Sequence, residues 1–324
     1  MSQFASALIA WQKHHGRKGL PWQGTRDPYR IWLSEVMLQQ TQVAAVIPYY
    51  ERFLEKYPDV KALAAASEDD VLQLWSGLGY YARGRNLHAA ARNLAAHGFP
   101  RTLEKIMELP GVGRSTAGAI AAFAFGKRAA ILDGNVKRVL SRRFGVAGEK
   151  ALWPLAQRLL PKSRIKVYTQ ALMDLGATVC VRRQPRCEAC PVRGRCVAHK
   201  EDRIGELPAP RPKKILPRRK TTWFVYRRNG EVLLERRPGM GLWGGLWTFP
   251  ETRLYRSTRS RTLPPMEHGF THFRLHIQPV LCEVGKTDPR AEAPGRLWLD
   301  VAEAASAAVP APVRTLLARL PAAR

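Results

Sequence analysis

The sequence predicts two domains in series, a mainly α N-terminal domain and an α+β C-terminal one. Three observations predict this. Ala and Leu recur at three- and four-residue spacing up to about residue 200, with Gly and Pro as punctuation. From Thr221 the pattern changes to alternation around an Asn-Gly pair. Between the two lies Leu207 to Lys220, with four prolines and six basic residues, a composition that suits an extended linker. A length of 324 residues allows a substantial core in each part. The boundaries read as 1–205, 206–220 and 221–324.

In chain order, helical spacing is clearest over Val71 to Trp75, Arg83 to Ala96, Ser115 to Phe125 and Val136 to Phe144. In the second half, Trp223 to Arg227 and Glu231 to Arg236 flank Asn229-Gly230, a strong hairpin signal. Phe273 to Val284 reads as extended, and the tail from Val301 returns to helix. No internal repeat is visible.

Lys and Arg number 53 against 26 Asp and Glu, a formal net charge of +27. That excess favours a polyanionic partner, because each phosphate neutralised by a cation releases condensed counterions. Over Arg182 to Lys220 the count is 13 Lys/Arg against 4 Asp/Glu, so the charge is concentrated there. No apolar run approaches the roughly 18 residues a spanning helix needs. The apolar stretch Phe4 to Trp11 has no basic leader and meets Lys13, His14, His15 and Arg17 at once. A cytoplasmic protein with no membrane contact is expected. In a reducing compartment five cysteines point to a metal or a catalytic thiol and away from a disulfide framework.

Cys180, Cys187, Cys190 and Cys196 follow C-x6-C-x2-C-x5-C. Four thiolates in one short segment can enclose either zinc or a [4Fe–4S] cluster, and spacing does not choose between them. Cys282 stands outside the pattern and reads as a core residue of the second domain.

Three further stretches can carry chemistry. Leu109-Pro110-Gly111-Val112-Gly113 precedes a helical run; Gly111 and Gly113 permit a tight turn whose N–H groups can face a phosphate. In Ile131-Leu132-Asp133-Gly134-Asn135, Asp133 and Asn135 can each serve as a helix N-cap, a role compatible with catalysis because the cap aims the carboxylate. On a helix Glu35 has Ile31, Trp32 and Leu38 as neighbours, and apolar surroundings raise a carboxyl pKa. A salt-bridged or exposed glutamate is the alternative reading.

Together, SEVMLQQTQV around Glu35, LPGVG, ILDGNVKRVL around Asp133 and the cysteine spacing resemble the MutY family within the endonuclease III superfamily. The resemblance covers nearly the whole chain and is strongest over 20–200. It implies a helix–hairpin–helix glycosylase domain with a [4Fe–4S] cluster on the four cysteines. Gly111 and Gly113 would then grip DNA without reading its sequence. Neutral Glu35 would protonate adenine at N7, and ionised Asp133, supported by Asn135, would stabilise the cationic sugar. Trp22, Ser115 and Gln170 would line the base pocket. Ser115 also occupies the place where bifunctional relatives carry a lysine nucleophile, so water-using, monofunctional chemistry is implied. Leu78, Tyr80 and Arg83 resemble the loop that wedges the duplex when the base is flipped out. Gln40 and Thr41 match positions near the opposing base.

The second domain resembles a Nudix-like fold of the MutT type. WGGLWTFP over 243–250 looks like the stretch before the Nudix metal box, but Arg253 to Arg261 is basic where the box would be acidic. A reading module, not a diphosphate hydrolase, is therefore implied. Phe270-Thr271-His272 resembles the family's 8-oxoguanine loop, with Thr where Ser is usual. The implied function is excision of adenine mispaired with 8-oxoguanine, and with guanine, by a monomer acting on double-stranded DNA in the nucleoid.

Overall fold

The computed structural model describes residues 2–209, 215–285 and 294–320. Linker residues 210–214, and 286–293 and 321–324 of the expected second domain, lie outside the described residues. The chain forms two compact units, one built from residues up to 64 together with 89–209, the other from 65–88 with 215–285 and 294–320. No described helix is long and apolar enough to cross a membrane.

The first unit is helical. It contains α1 (Gln3–His15), α2 (Pro28–Met37), α3 (Val43–Lys56) and α4 (Val60–Ala65). After the segment that joins the other unit come α7 (Leu103–Met107), α8 (Arg114–Phe125), α9 (Gly134–Phe144), α10 (Glu149–Leu159), α11 (Ile165–Thr178) and α12 (Val197–Lys200). Asp27 starts α2 by accepting from the Tyr29 N–H at 2.9 Å, and Pro28 occupies the first turn, where its missing N–H costs nothing. Ile31, Trp32, Leu33, Ser34, Val36 and Met37 are all buried. A helix covered nearly all round belongs in a core, and α2 packs on α8 and α3. α11 packs on α1, α9 and α8.

The second unit contains α5 (Glu68–Trp75), the first part of α6 (Tyr81–His97) and a seven-stranded sheet. Its strands are β1 (Arg218–Arg228), β2 (Glu231–Arg236), β3 (Trp247–Thr248), β4 (Arg259–Thr262), β5 (Met266–Gly269), β6 (Arg274–Glu283) and β7 (Arg296–Asp300). β1 and β6 pair in parallel, and every other described pair is antiparallel. The hairpin expected at Asn229-Gly230 joins β1 to β2, and both turn residues have positive φ, 48° and 85°, as a type I′ turn demands. β6 matches the extended run from Phe273, and α13 (Val301–Ser306) with α14 (Ala311–Leu317) forms the helical tail.

Two differences stand out. β1 begins at Arg218, so Arg218–Lys220 are strand and not linker; their N–H and C=O groups find partners on β6, beginning with the Arg218–Arg274 pair. The second difference is the membership of 65–88, which no sequence pattern signals. Leu72 is buried in the same core as Trp223, Val232, Phe249 and Val313. Polar ties accompany this packing: Gln73 donates to Ser306 O at 2.7 Å, Ser76 to Val309 O at 2.9 Å, and Arg314 to Ser76 Oγ at 2.7 Å.

Candidate active site

Glu35 lies near the C-terminal end of α2, on the wall of a cavity that opens to solvent. Trp22 and Gln170 line the same cavity, with Arg17, Ile31, Phe123 and Lys166. Three of the residues singled out from the sequence therefore meet in one place. Ile31 and Leu38, the apolar neighbours foreseen on the helix, are in the lining; Trp32 turns away and packs edge-on against Phe99. Loss of hydration, and secondarily the field of Asp133, pushes the Glu35 carboxyl up to about 8. It is neutral at pH 7 and can give a proton.

Asp133 is the N-cap of α9, as its sequence setting allows. Its Oδ1 accepts from the Val136 N–H at 2.7 Å, and the Asn135 N–H also donates to it. Burial raises its pKa, while those two amides and the cations Arg138 and Lys137 oppose the rise. Among the described residues, Asp133 has the donors that stabilise an anion, and Glu35 does not. Asn135 supports Asp133 through its backbone; its side-chain oxygen instead accepts from Arg138 at 2.8 Å.

Ser115 stands apart from the cavity lining. Its hydroxyl accepts from the Leu132 N–H at 2.9 Å, tying the start of α8 to the segment that leads into Asp133. That contact explains the position without a role on the base. Gly111 has φ 76°, a left-handed backbone that favours glycine. Gly113 differs from expectation: it is extended (φ −83°, ψ 171°) and caps α8 with no side-chain bond. A Cβ there would meet nothing within 4 Å, so its bareness leaves the backbone accessible from outside.

Gln40 is exposed with φ 57°, and Thr41 is partly buried. The neighbouring Gln39, which the motif did not mark, donates to Gly111 O and to Thr116 Oγ1, both at 3.2 Å. It joins the end of α2 to the hairpin, and an amide just beyond a helix end was the only available signal. In the other unit, Leu78 is buried and Tyr80 is 45% exposed with φ 49°. Arg83 is buried beneath them, its guanidinium donating to Leu78 O and Gly79 O and lying over the Trp75 and Tyr80 rings. Phe270, Thr271 and His272 occupy the turn between β5 and β6. Phe270 stacks on Phe273 with centroids 4.5 Å apart, while Thr271 and His272 are exposed side by side.

The four cysteines line one cavity, and Cys282 is buried elsewhere, as expected. Among the described residues no three His, Cys, Asp or Glu side chains converge closely enough for one metal ion. Tetrahedral zinc, with Zn–S near 2.3 Å, would draw its sulfurs to within about 3.8 Å of each other. The four thiols face one cavity, as a single shared centre on all four requires. Two buried or half-buried arginines of α9, unmarked in the sequence, frame this loop. Arg138 donates to Cys180 O and Gly176 O, each at 2.6 Å. Arg142 donates to Val181 O at 2.7 Å, Arg182 O at 3.0 Å and Leu207 O at 2.8 Å, and reaches Cys180 Sγ at 3.6 Å.

An acid–base pair held by a helix–hairpin–helix scaffold is the arrangement of a DNA glycosylase, and the comparisons agree. The HhH-GPD superfamily base excision DNA repair protein pattern matches residues 33–160, and a NUDIX domain pattern matches residues 222–319. An adenine DNA glycosylase of Buchnera aphidicola subsp. Baizongia pistaciae is 33% identical, over 98% of this chain and 96% of its own. The Homo sapiens adenine DNA glycosylase is 34% identical, over 95% of this chain and 72% of its own. Among solved structures, a thermostable thymine-DNA glycosylase superposes with TM-score 0.57 at 32% identity, covering 61% of this chain and 95% of that one. A trapped endonuclease III–DNA covalent intermediate gives TM-score 0.53 at 26% identity, over 62% and 97%. The chain belongs to the MutY family of adenine DNA glycosylases.

Proposed function

We propose that this glycosylase hydrolyses the N-glycosidic bond of adenine mispaired with 8-oxoguanine or guanine in double-stranded DNA. The observation that carries this is the dehydrated Glu35 sharing a cavity with Gln170 and Trp22 and coupled electrically to the capped Asp133. Adenine leaves poorly as an anion, and the sugar becomes cationic as it departs. Neutral Glu35 protonates the leaving base, and Asp133 stabilises the oxocarbenium-like sugar. General acid help of this kind is worth about 10² to 10⁴ in rate; fixed charge at the sugar supplies much of the remainder. With Ser115 bonded to Leu132 N–H where a lysine would be needed, water completes the reaction and little strand nicking is expected.

Gly111, Gly113 and the basic cysteine loop are assigned to backbone contact, Leu78, Tyr80 and Arg83 to the wedge, and Gln40 and Thr41 to the opposing base. Phe270, Thr271 and His272 are assigned to 8-oxoguanine. A monomer on nucleoid DNA is the working unit for these roles. Cys180, Cys187, Cys190 and Cys196 are the residues that would hold a [4Fe–4S] cluster; when bound it pins the loop and takes no part in base chemistry. Arg138 and Arg142 hold the carbonyls around it.

The test is a single-turnover assay on duplexes with adenine opposite 8-oxoguanine, guanine or thymine, and thymine opposite guanine, each read with and without alkali. Alkali-dependent cleavage of the first, lost in Glu35→Gln, supports the reading. Preferential cleavage at thymine opposite guanine would replace it with a pyrimidine-directed activity. High-yield trapping with borohydride would remove the monofunctional assignment.

A further inference from the structure

Asp174 on α11 is fully buried, its side chain 0% exposed, and the acid–base step does not use it. Four donors converge on its carboxylate. Gln12 Nε2 and the Arg17 backbone N–H reach Oδ2, each at 2.9 Å. Arg17 Nε reaches Oδ1 at 2.8 Å, and Gln170 Nε2 reaches Oδ1 at 2.9 Å. Gln170 lies one helical turn before Asp174, the spacing at which α-helical side chains meet. It also lines the Glu35 cavity.

A carboxylate accepts and cannot donate, whereas a glutamine amide does one with each end. Asp174 therefore selects one of the two orientations of the Gln170 amide. Its NH₂ must point to Asp174, and a flipped amide would set its carbonyl oxygen against the carboxylate. Among the described residues Oε1 of Gln170 has no partner, which leaves an acceptor for whatever fills the cavity. Gln12 on α1 and Arg17 just after it hold Asp174 in place, so the orientation of Gln170 is set from its Asp174 side.

We infer that Asp174 is a positioning residue that makes the cavity selective for a purine with an exocyclic amine. By locking Gln170 as an acceptor, it matches the 6-amino group of adenine and opposes the 6-keto oxygen of hypoxanthine or guanine. A site built to pair a polar group rejects an analogue that leaves that group unpaired far better than an apolar site can. This rests on the reading of the cavity as the adenine site.

The experiment compares single-turnover rates on full-length protein with adenine, unsubstituted purine and hypoxanthine, each opposite 8-oxoguanine, in wild type, Asp174→Asn and Gln170→Leu. The amide introduced by Asp174→Asn could donate or accept, so Gln170 would be free to turn. The adenine-to-purine and adenine-to-hypoxanthine rate ratios are expected to fall about tenfold in Asp174→Asn, and in Gln170→Leu as well. Equal slowing on all three substrates in Asp174→Asn would mean a purely structural role and overturn the inference. Should that variant fail to fold, wild-type ratios in Gln170→Leu would overturn it instead. If the wild type excises no adenine, the functional reading falls and takes this one with it; adenine excision with unchanged ratios in the variants sinks this one alone.

Discussion

Glu35 and Asp133 are both carboxyls, yet their surroundings differ in the way the two proposed tasks require. Glu35 projects from a helix whose neighbours are apolar and finds no N–H donor among the described residues, so dehydration keeps it protonated up to about pH 8. Asp133 sits where two helix-start amides donate to it. Glu35→Gln is expected to slow adenine excision about 10²- to 10⁴-fold in single turnover. The wild-type rate should fall as pH rises through about 8, since the active form is the acid; a flat profile to pH 9 would contradict the assignment. The same shift has a sign for stability. A carboxyl whose pKa rises on folding, here from about 4.3, contributes fully below its unfolded value, and that contribution is lost as pH climbs toward the folded value. At pH 7 the penalty is on the order of 3 kcal/mol. Glu35→Gln should therefore melt above wild type at pH 7.5, with the gap closing as pH drops toward 4.5; thermal denaturation across pH checks it.

The helix α9 joins three tasks. Asp133 begins it, Arg138 and Arg142 project from it to the cysteine loop, and α11 passes close beside its first turn. A Cβ on Gly176 would lie 2.6 Å from Asn135 Cβ and 3.0 Å from its carbonyl oxygen. Gly176→Ala must push the two helices apart where Asp133 is aimed. A loss of about 1–3 kcal/mol is expected from overpacking, together with a fall in excision rate larger than any change in DNA affinity. Arg142 is 4% exposed and satisfies three carbonyls. Arg142→Met would leave those acceptors unpaired at about 1–3 kcal/mol each. Limited proteolysis should then cut within residues 180–207 well before the rest of the chain.

The whole chain carries +27, and its charge is densest beside the cysteine loop. Affinity for duplex DNA should fall steeply with salt, and Arg183→Gln, which changes an exposed side chain, should reduce the slope of log K against log salt by about 1. The loss should be the same for matched and mismatched duplexes; a loss confined to mismatched DNA would make Arg183 a reader instead. In the second unit, α5 and the Tyr80 turn pack with the sheet and its tail helices as one body. Arg314, Ser76 and the Val309 carbonyl form the polar part of that packing.

Helix and strand periods, the Asn-Gly hairpin, the basic charge and both acids were legible in the residues, because each is a local pattern with a local physical cause. Asp133 announces its cap through the helix that follows it, and Glu35 announces its dehydration through the neighbours one turn away. The cysteine spacing is equally local. Other features arise only when distant segments meet. Asp174, Arg138 and Arg142 look like ordinary surface charges in a basic chain until the fold buries them against carbonyls and amides far away in sequence. Gly113 shows the same limit, since a glycine in a string does not say whether it is needed for its φ or for its bareness. Val71 to Trp75 reads as one more helix ahead of a loop, and the fold alone determines which core receives Leu72. Local pattern specifies what a segment can bury or donate, and long-range packing selects which partner it meets.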